Sequence, residues 1–155
     1  MKHKVAIITA ASRGMGAACA RELAENNYHV VLMSTTDSVL VLADELGGKG
    51  LIGNVTNSDD LQKLVDLTIE SYGQVDAVIN NTGHPPKGEL LEITDADWSQ
   101  AFDLLLMNVV RMCRLVVPLM LKNGGPLSIF PLLAQKSPTW IFPHHPLFGQ
   151  VFPPT

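Results

Sequence analysis

The sequence predicts an α/β fold in which helices cover both faces of a parallel sheet, a doubly wound architecture of about five strands. Two observations support it. Short apolar segments alternate with amphipathic helical patterns of about 10–15 residues, and such units have right-handed crossovers that place their strands in parallel. The first unit also contains a turn of small residues between its strand and its helix.

Capping residues and glycines set the bounds of the elements. Asp37, Asn57 and Thr94 are residues of the types that cap helix N-termini. An acidic residue follows the last two of these by three positions, at Asp60 and Asp97, which is typical of a capping box. The strands predicted from these patterns are 4–9, 29–34, 50–55 and 75–80. The predicted helices begin at residues 14, 37, 57 and 94 and end near residues 26, 47, 72 and 121.

The last predicted helix, residues 96–121, is apolar nearly all round. Such a helix is buried on more than one side, so we expect one face to pack on the sheet and the other to form homo-oligomers in full-length relatives. A membrane span is not expected, because polar residues and a proline interrupt the apolar run. These interruptions are Asp103, Asn108, Arg111, Arg114 and Pro118.

Composition argues against several classes of function. The formal net charge is −4 and the basic residues form no run, so neither nucleic acid nor an anionic membrane is an expected partner. Cys19 and Cys113 lie in apolar helical segments and give no disulfide framework, which favours a reducing, cytoplasmic setting. His84 and the pair His144-His145 have no partners at metal-ligand spacing, so no metal site is predicted.

The chain changes character after residue 125. Residues 126–155 contain seven of the 10 prolines, four of the five phenylalanines and a single charged residue, Lys136. Because proline is excluded from helix interiors and central strands, we predict an irregular or non-native tail over 126–155. Residues 1–125 then form the predicted folded domain.

The turn of the first strand–helix unit carries the strongest functional signal. Backbone N–H groups without intrahelical partners lie there at a helix N-terminus, where they and the helix dipole favour an anion such as a phosphate. A purely structural corner is the alternative, but Gly14 and Gly16 favour the phosphate site. The turn reads Thr9-Ala10-Ala11-Ser12-Arg13-Gly14-Met15-Gly16.

Three further motifs follow at regular intervals. They are Asn54-Val55 after the third strand, Asn80-Asn81-Thr82-Gly83 after the fourth, and Asn108 inside the long helix. Residues 1 to about 125 therefore resemble the short-chain dehydrogenase/reductase family. That family shares a Thr-Gly-x-x-x-Gly-x-Gly turn, an Asp-Val pair, an Asn-Asn-Ala-Gly run and a helix asparagine.

The resemblance implies a Rossmann-type fold that binds a nicotinamide dinucleotide and transfers a hydride to or from a small carbonyl or alcohol substrate. Asn108 is the implied catalytic residue, because the family asparagine holds a water in a proton relay; a core amide is the alternative. Asn54 retains a carbonyl acceptor for the adenine amine, and is equally consistent with a simple turn residue. Ala10 replaces a glycine and costs about 1 kcal/mol if its φ is positive. The implied cofactor-binding residues are Thr9, Ala11, Ser12, Arg13, Gly14, Met15, Gly16, Ser34, Thr35, Asn54, Val55, Asn81, Thr82 and Gly83.

The end of the second strand predicts which dinucleotide binds. NAD-selective proteins place a carboxylate there for the ribose hydroxyls, whereas this strand ends Ser34-Thr35-Thr36, with no acid before Asp37. Arg13 lies in the adjacent turn and suits a 2′-phosphate. We therefore predict NADP(H), with NAD(H) as the alternative.

The other catalytic residues of the family cannot be assigned in this chain. Its members use a serine, a tyrosine and a lysine four residues after the tyrosine, but this chain has no tyrosine after Tyr72. Ser128 and His144 lie near the serine and tyrosine positions, without the surrounding pattern. We therefore expect little or no turnover. A non-catalytic nucleotide-binding module and an unstable truncated product are the alternatives.

A frameshift near Gly125 is one hypothesis for this ending. Back-translated residues 126–131, read one nucleotide later, permit Ile-Ile-Asn-Ile-Ser, which resembles the family's fifth strand. Early termination in the shifted frame would then account for the proline-rich tail.

Overall fold

A computed structural model describes residues 3–89, 91–122 and 129–132 of the chain. They form a five-stranded sheet in the order β3-β2-β1-β4-β5, and every neighbouring pair of strands is parallel. The strands are β1 Lys4–Thr9, β2 Tyr28–Ser34, β3 Lys49–Ile52, β4 Ala77–Asn81 and β5 Ile129–Leu132. The helices are α1 Gly14–Glu25, α2 Ser38–Glu45, α3 Ser58–Tyr72, α4 Asp95–Phe102 and α5 Asn108–Lys122.

Successive side chains of a strand point to opposite faces of the sheet, and here they are buried against helices on both faces. Val5, Ile7 and Met33 contribute to one core, which α3 and α5 cover. Ala6 and Ile8 contribute to the other, which α1 and α2 cover. Helices on both faces of a parallel sheet confirm the predicted doubly wound, Rossmann-type fold.

The predicted bounds hold within a few residues, and the differences concern the end of β3 and the cap of α2. β3 ends at Ile52 rather than at residue 55. The N–H of Gly53 still donates to the carbonyl oxygen of Ser34 in β2, but the N–H of Asn54 turns to Asp60 instead. Asp37 occupies the N-cap position of α2, but its side chain makes no capping hydrogen bond, so its predicted capping role is wrong. Asn57 does cap α3 by accepting from the N–H of Asp59.

The two predicted capping boxes have different outcomes. Thr94 and Asp97 bond reciprocally at the start of α4, as predicted. Asp60, by contrast, does not bond back to Asn57. Its carboxylate accepts from the backbone N–H of Asn54 at 3.1 Å, which ties the end of β3 to the first turn of α3.

The long predicted helix is continuous from Asp95 to Lys122 but contains a π-helical segment, Asp103–Met107, between α4 and α5. One turn is widened there, and the ion pair between Arg111 and Asp103, 2.6 Å apart, spans the widened turn. The pattern of apolar residues could not predict this extra residue in the helical turn, because a π-turn alters the period only locally.

The helix is long enough and apolar enough to cross a membrane. The core helix of a soluble protein can have the same length and composition. In this fold its buried residues recur every four positions and pack on the sheet. They are Asn108, Met112, Val116 and Met120.

Within the segment predicted to be irregular, Ile129–Leu132 form β5 beside β4. Pro131 lies in this strand, and a proline is compatible with the sheet edge that β5 forms in the described part of the chain. The remaining residues of 126–155, with Ser128, His144 and His145 among them, lie outside the described residues.

Candidate dinucleotide-binding site

A cavity of about 800 Å³ lies at the carboxyl ends of the strands. In an open parallel sheet this edge, where the strand order reverses between β1 and β4, is where ligands bind. Its size falls within the range of small-molecule sites. The β1–α1 turn forms its centre, the loops after β2 and β3 one end, and the loop after β4 the other.

The β1–α1 turn has the backbone of an anion-binding loop. Ala10 has a φ of +46° and Gly14 a φ of +60°, so the chain is left-handed once within the turn and once more at the first residue of α1. Arg13 occupies the N-cap position without a side-chain capping bond, and the first turn of α1 contains no acidic residue. The first N–H groups of the helix are therefore left for a ligand, and the helix dipole favours a negative one.

Gly16 allows the turn to approach β4 closely. A Cβ atom at this position would lie 2.5 Å from the carbonyl oxygen of Ala10 and 2.7 Å from Nδ2 of Asn81. Neither atom can retreat cheaply, because Nδ2 of Asn81 itself donates to that carbonyl oxygen. Gly16 lies behind the cavity wall, so its contribution is to packing.

Thr9 joins β1 to β4 at the floor of the cavity. Its hydroxyl donates to the carbonyl oxygen of Asn81 at 2.7 Å and accepts from the N–H of Asn81 at 3.0 Å. Thr9 is only 1% exposed and is not among the residues that line the cavity, so its hydroxyl does not face a ligand there. The structure thus corrects the predicted role: Thr9 holds the two central strand ends in register.

Polar side chains surround the cavity at the end of β2. The hydroxyl of Ser34 donates to that of Ser12 at 2.9 Å, which connects this strand end to the β1–α1 turn. Thr35 and Thr36 continue the lining, and no carboxylate is among the lining residues. Arg13 is exposed on the same side, and it makes no ion pair within residues 3–89, 91–122 and 129–132.

Beyond β3, Asn54 forms a tight turn with its own side chain. Its Oδ1 accepts from the backbone N–H and from the hydroxyl of Thr56, both at 3.0 Å. The carbonyl oxygen that the resemblance assigned to an adenine amine is therefore already engaged, and Asn54 fits the alternative prediction, a turn residue. The backbone N–H of Asn54 donates to Asp60, and this bond, followed by that from Lys63, lowers the pKa of the Asp60 carboxyl.

The other end of the cavity is formed after β4. Asn81, Thr82, Gly83 and His84 line it, and the π-helical segment contributes Leu104 from above. This end adjoins β5, whose Leu132 pairs with Asn81.

Asn108, the predicted catalytic residue, begins α5 immediately after the π-helical segment and is 2% exposed. It does not line the cavity, and neither its Oδ1 nor its Nδ2 has a hydrogen-bond partner in the described part of the chain. Nδ2 of Asn80 and one guanidinium nitrogen of Arg111 are also buried without a hydrogen-bond partner among the described residues. Buried polar atoms of this kind commonly bind ordered water.

The predicted cofactor-binding residues therefore divide into two groups. Thr9, Ala11 and Gly16 lie behind the cavity wall. The others line it: Ser12, Arg13, Gly14, Met15, Ser34, Thr35, Asn54, Val55, Asn81, Thr82 and Gly83.

Five lining residues were not predicted: Ala10, Thr36, Gly53, His84 and Leu104. Each of the first four is adjacent in the sequence to a predicted residue, and this adjacency could have been used to predict it. Leu104 had no such signal, since its position depends on the π-helical segment. The described residues contain no cluster of metal-ligating side chains.

Comparisons with known proteins agree with this geometry. The family model described as short chain dehydrogenase matches residues 4–128. The chain is 36% identical over 148 residues to dehydrogenase/reductase SDR family member 4 of Caenorhabditis elegans, covering 89% of this chain and 57% of that protein. It is 32% identical over 123 residues to the 3-oxoacyl-(acyl-carrier-protein) reductase FabG of Escherichia coli K12, covering 77% of this chain and 50% of the reductase.

Solved structures give the same result. The L-sorbose reductase of Gluconobacter frateurii, solved with NADPH and L-sorbose, matches with a TM-score of 0.72 and 28% identity over 83% of this chain and 52% of that one. A short-chain dehydrogenase/reductase of Burkholderia xenovorans matches with a TM-score of 0.70 and 30% identity, over 81% and 55%. The chain thus spans about half the length of the relatives it matches. On its motifs, its sheet order and these matches, the chain belongs to the short-chain dehydrogenase/reductase family.

Proposed function

We propose that the cavity binds NADP(H), with the diphosphate on the N-terminus of α1. The uncapped first turn of α1 carries this proposal. Its free N–H groups face the middle of the cavity, between the loops after β2 and β3 on one side and the loop after β4 on the other. The adenosine half then extends toward β2 and β3, and the nicotinamide half toward β4, where His84 and Leu104 lie. The NADPH bound to the G. frateurii reductase supports the choice of a nicotinamide cofactor.

Arg13 selects the phosphorylated form in this proposal. The ribose would lie at the end of β2, where Ser34, Thr35 and Thr36 provide hydroxyl groups and no carboxylate repels a 2′-phosphate. The exposed guanidinium of Arg13 can pair with that phosphate, because planar guanidinium groups match the geometry of phosphate oxygens.

Titration of the protein with NADPH and NADH, followed by the fluorescence of the reduced nicotinamide, tests this role. We expect Arg13→Gln to weaken NADPH binding about 10- to 100-fold, the value of a charge-assisted hydrogen bond, and to leave NADH binding unchanged. Arg21→Gln is the matched control, because Arg21 is on the same helix and pairs with Glu45 instead. Comparable affinity of the unsubstituted protein for NADPH and NADH would contradict the proposal.

The proposed ancestral reaction is hydride transfer between NADP(H) and a small carbonyl or alcohol, and we propose that this chain turns over weakly or not at all. Both of its tyrosines lie at the opposite, amino end of the sheet: Tyr28 begins β2, and Tyr72 stacks on His29 with ring centroids 4.6 Å apart. Burial raises the pKa of Tyr72, which makes it still less suited to proton transfer near neutral pH. Neither residue can reach a substrate at the carboxyl ends.

A non-catalytic dinucleotide-binding module is the second candidate, because the residues proposed to hold the diphosphate and the adenosine all lie within the described part of the chain. Oxidation of NADPH by a panel of aldehydes and ketones separates the two functions. Saturable binding without oxidation favours the module, and oxidation of any carbonyl favours the reductase. Absence of both saturable binding and cooperative unfolding would instead indicate an unstable product.

We further propose that the long helix mediates self-association. Trp98, Phe102 and Leu106 recur every four residues along it, with 55%, 56% and 49% of their surfaces exposed. An exposed apolar stripe of this kind is typical of an interaction surface. Sedimentation velocity should detect a species larger than 16.8 kDa, and Phe102→Glu should shift it toward the monomer.

A further inference from the structure

The sheet order assigns the far end of the cavity to the purine base. β3 neighbours β2 on the side away from β4, so a dinucleotide with its diphosphate at α1 and its ribose at β2 carries its base to the loop after β3. Gly53, Asn54 and Val55 line the cavity there. This placement rests on the proposed function.

The amide orientation of Asn54 is fixed by its own turn. A backbone N–H can only donate, so the side-chain atom 3.0 Å from the N–H of Thr56 must be the carbonyl oxygen. The hydroxyl of Thr56 donates to the same oxygen at 3.0 Å. The remaining atom, Nδ2, is a donor and makes no hydrogen bond among the described residues.

An aspartate at this position would behave differently. One of its oxygens would retain the bond to Thr56, and the second would replace Nδ2 as an acceptor. The exocyclic amine of adenine is a donor, so it can pair with that second oxygen but not with the amide NH2 of Asn54. The NH2 group can instead donate to an acceptor on either base: a ring nitrogen of adenine, or the carbonyl oxygen at position 6 of hypoxanthine.

We propose that Asn54 makes the base end of this site permissive at purine position 6, so that the protein accepts a 6-oxopurine dinucleotide about as well as an adenine dinucleotide. The residue is a specificity determinant: the same loop with an aspartate would select adenine.

The test compares NADPH with its deaminated analogue, which carries hypoxanthine in place of adenine, by titrating each into the full chain and following nicotinamide fluorescence. The dissociation constants of the unsubstituted protein should agree within about twofold. Asn54→Asp should bind NADPH about three- to tenfold more tightly than the analogue, the value of one neutral to charge-assisted hydrogen bond. Asn54→Ala should bind both less tightly, with the ratio still close to one.

Two results would overturn the inference while leaving the proposed function intact. One is an adenine preference in the unsubstituted protein as large as that of Asn54→Asp, and the other is an Asn54→Asp variant without any preference. If Asn54→Asp does not fold, the comparison with Asn54→Ala decides, because an adenine preference that this variant abolishes also overturns the inference. Failure of both dinucleotides to bind the unsubstituted protein would refute the proposed function, and the inference with it.

Discussion

Replacing Ala10 with glycine is expected to stabilise this protein, although the same exchange usually destabilises a folded chain. Ala10 has a φ of +46°, in the left-handed region where a Cβ atom crowds the backbone. Its methyl group belongs to neither of the two apolar cores, so the protein loses little buried apolar surface when the methyl group is removed. The substitution therefore removes strain without leaving a cavity.

The magnitude follows from two opposing contributions. A left-handed conformation costs a residue other than glycine about 1–2 kcal/mol. Glycine, in turn, gains about 0.5–1 kcal/mol of backbone freedom in the unfolded chain, which opposes folding. The difference predicts a gain of about 0.5–1 kcal/mol for Ala10→Gly, and each kcal/mol raises Tm by about 2–4 °C for a chain of this size.

Ala18→Gly is the matched control. Ala18 is exposed in the middle of α1, where the same exchange should cost about 1 kcal/mol. Urea unfolding followed by circular dichroism measures both variants, provided that the slope of the transition does not change. If Ala10→Gly lowers the midpoint as much as Ala18→Gly does, the strain at residue 10 is not real and the reasoning is wrong.

Three further predictions concern the contacts around the cavity. Thr9→Val should cost about 1–3 kcal/mol in urea unfolding, because it leaves both buried backbone groups of Asn81 without a partner; Thr9→Ser, which retains the hydroxyl, should recover most of this loss. Gly16→Ala should abolish NADPH binding, measured by fluorescence, since the added methyl group displaces the β1–α1 turn, and a normal affinity would contradict the close approach. The lowered pKa of Asp60 means that its contribution to stability is complete above about pH 5 and is lost as the pH falls below about 4; Asp60→Asn should therefore flatten the pH dependence of the urea midpoint in this range, and an unchanged slope would count against it.

Sequence alone predicted the fold, and the edge of the sheet at which the cavity lies, because both depend on local patterns. Apolar runs, capping residues and glycines identified four strands and their helices within a few residues. The turn at residues 9–16 identified the carboxyl edge of the sheet as the site, since parallel strands end together. The capping box of Thr94 and Asp97 was likewise predictable, because both partners lie within one turn.

What the sequence could not predict depends on contacts between distant segments or on a side-chain torsion. Thr9 could not be distinguished from a cofactor ligand, since its partner, Asn81, lies 72 residues away. For Asn54, a contact to the base and a simple turn were equally consistent with the sequence, because nothing local indicates whether the side chain will close a turn. Leu104 reaches the cavity only through the π-helical segment, which the apolar pattern conceals.

The two ends of the cavity depend on different parts of the chain, and this separates binding from chemistry. The residues at the α1 end and at the proposed adenosine end all precede residue 56. Ser12 is joined to Ser34 through their hydroxyls, and Ser34 is joined to Gly53 through a backbone hydrogen bond. The nicotinamide end lies beside β4, at the strand that pairs with β5. Because Thr9 fastens β4 to β1, this second end is held in register by the first. We therefore expect changes beyond residue 125 to affect the proposed hydride transfer more than the proposed dinucleotide binding, which depends on Thr9 and the strands around it.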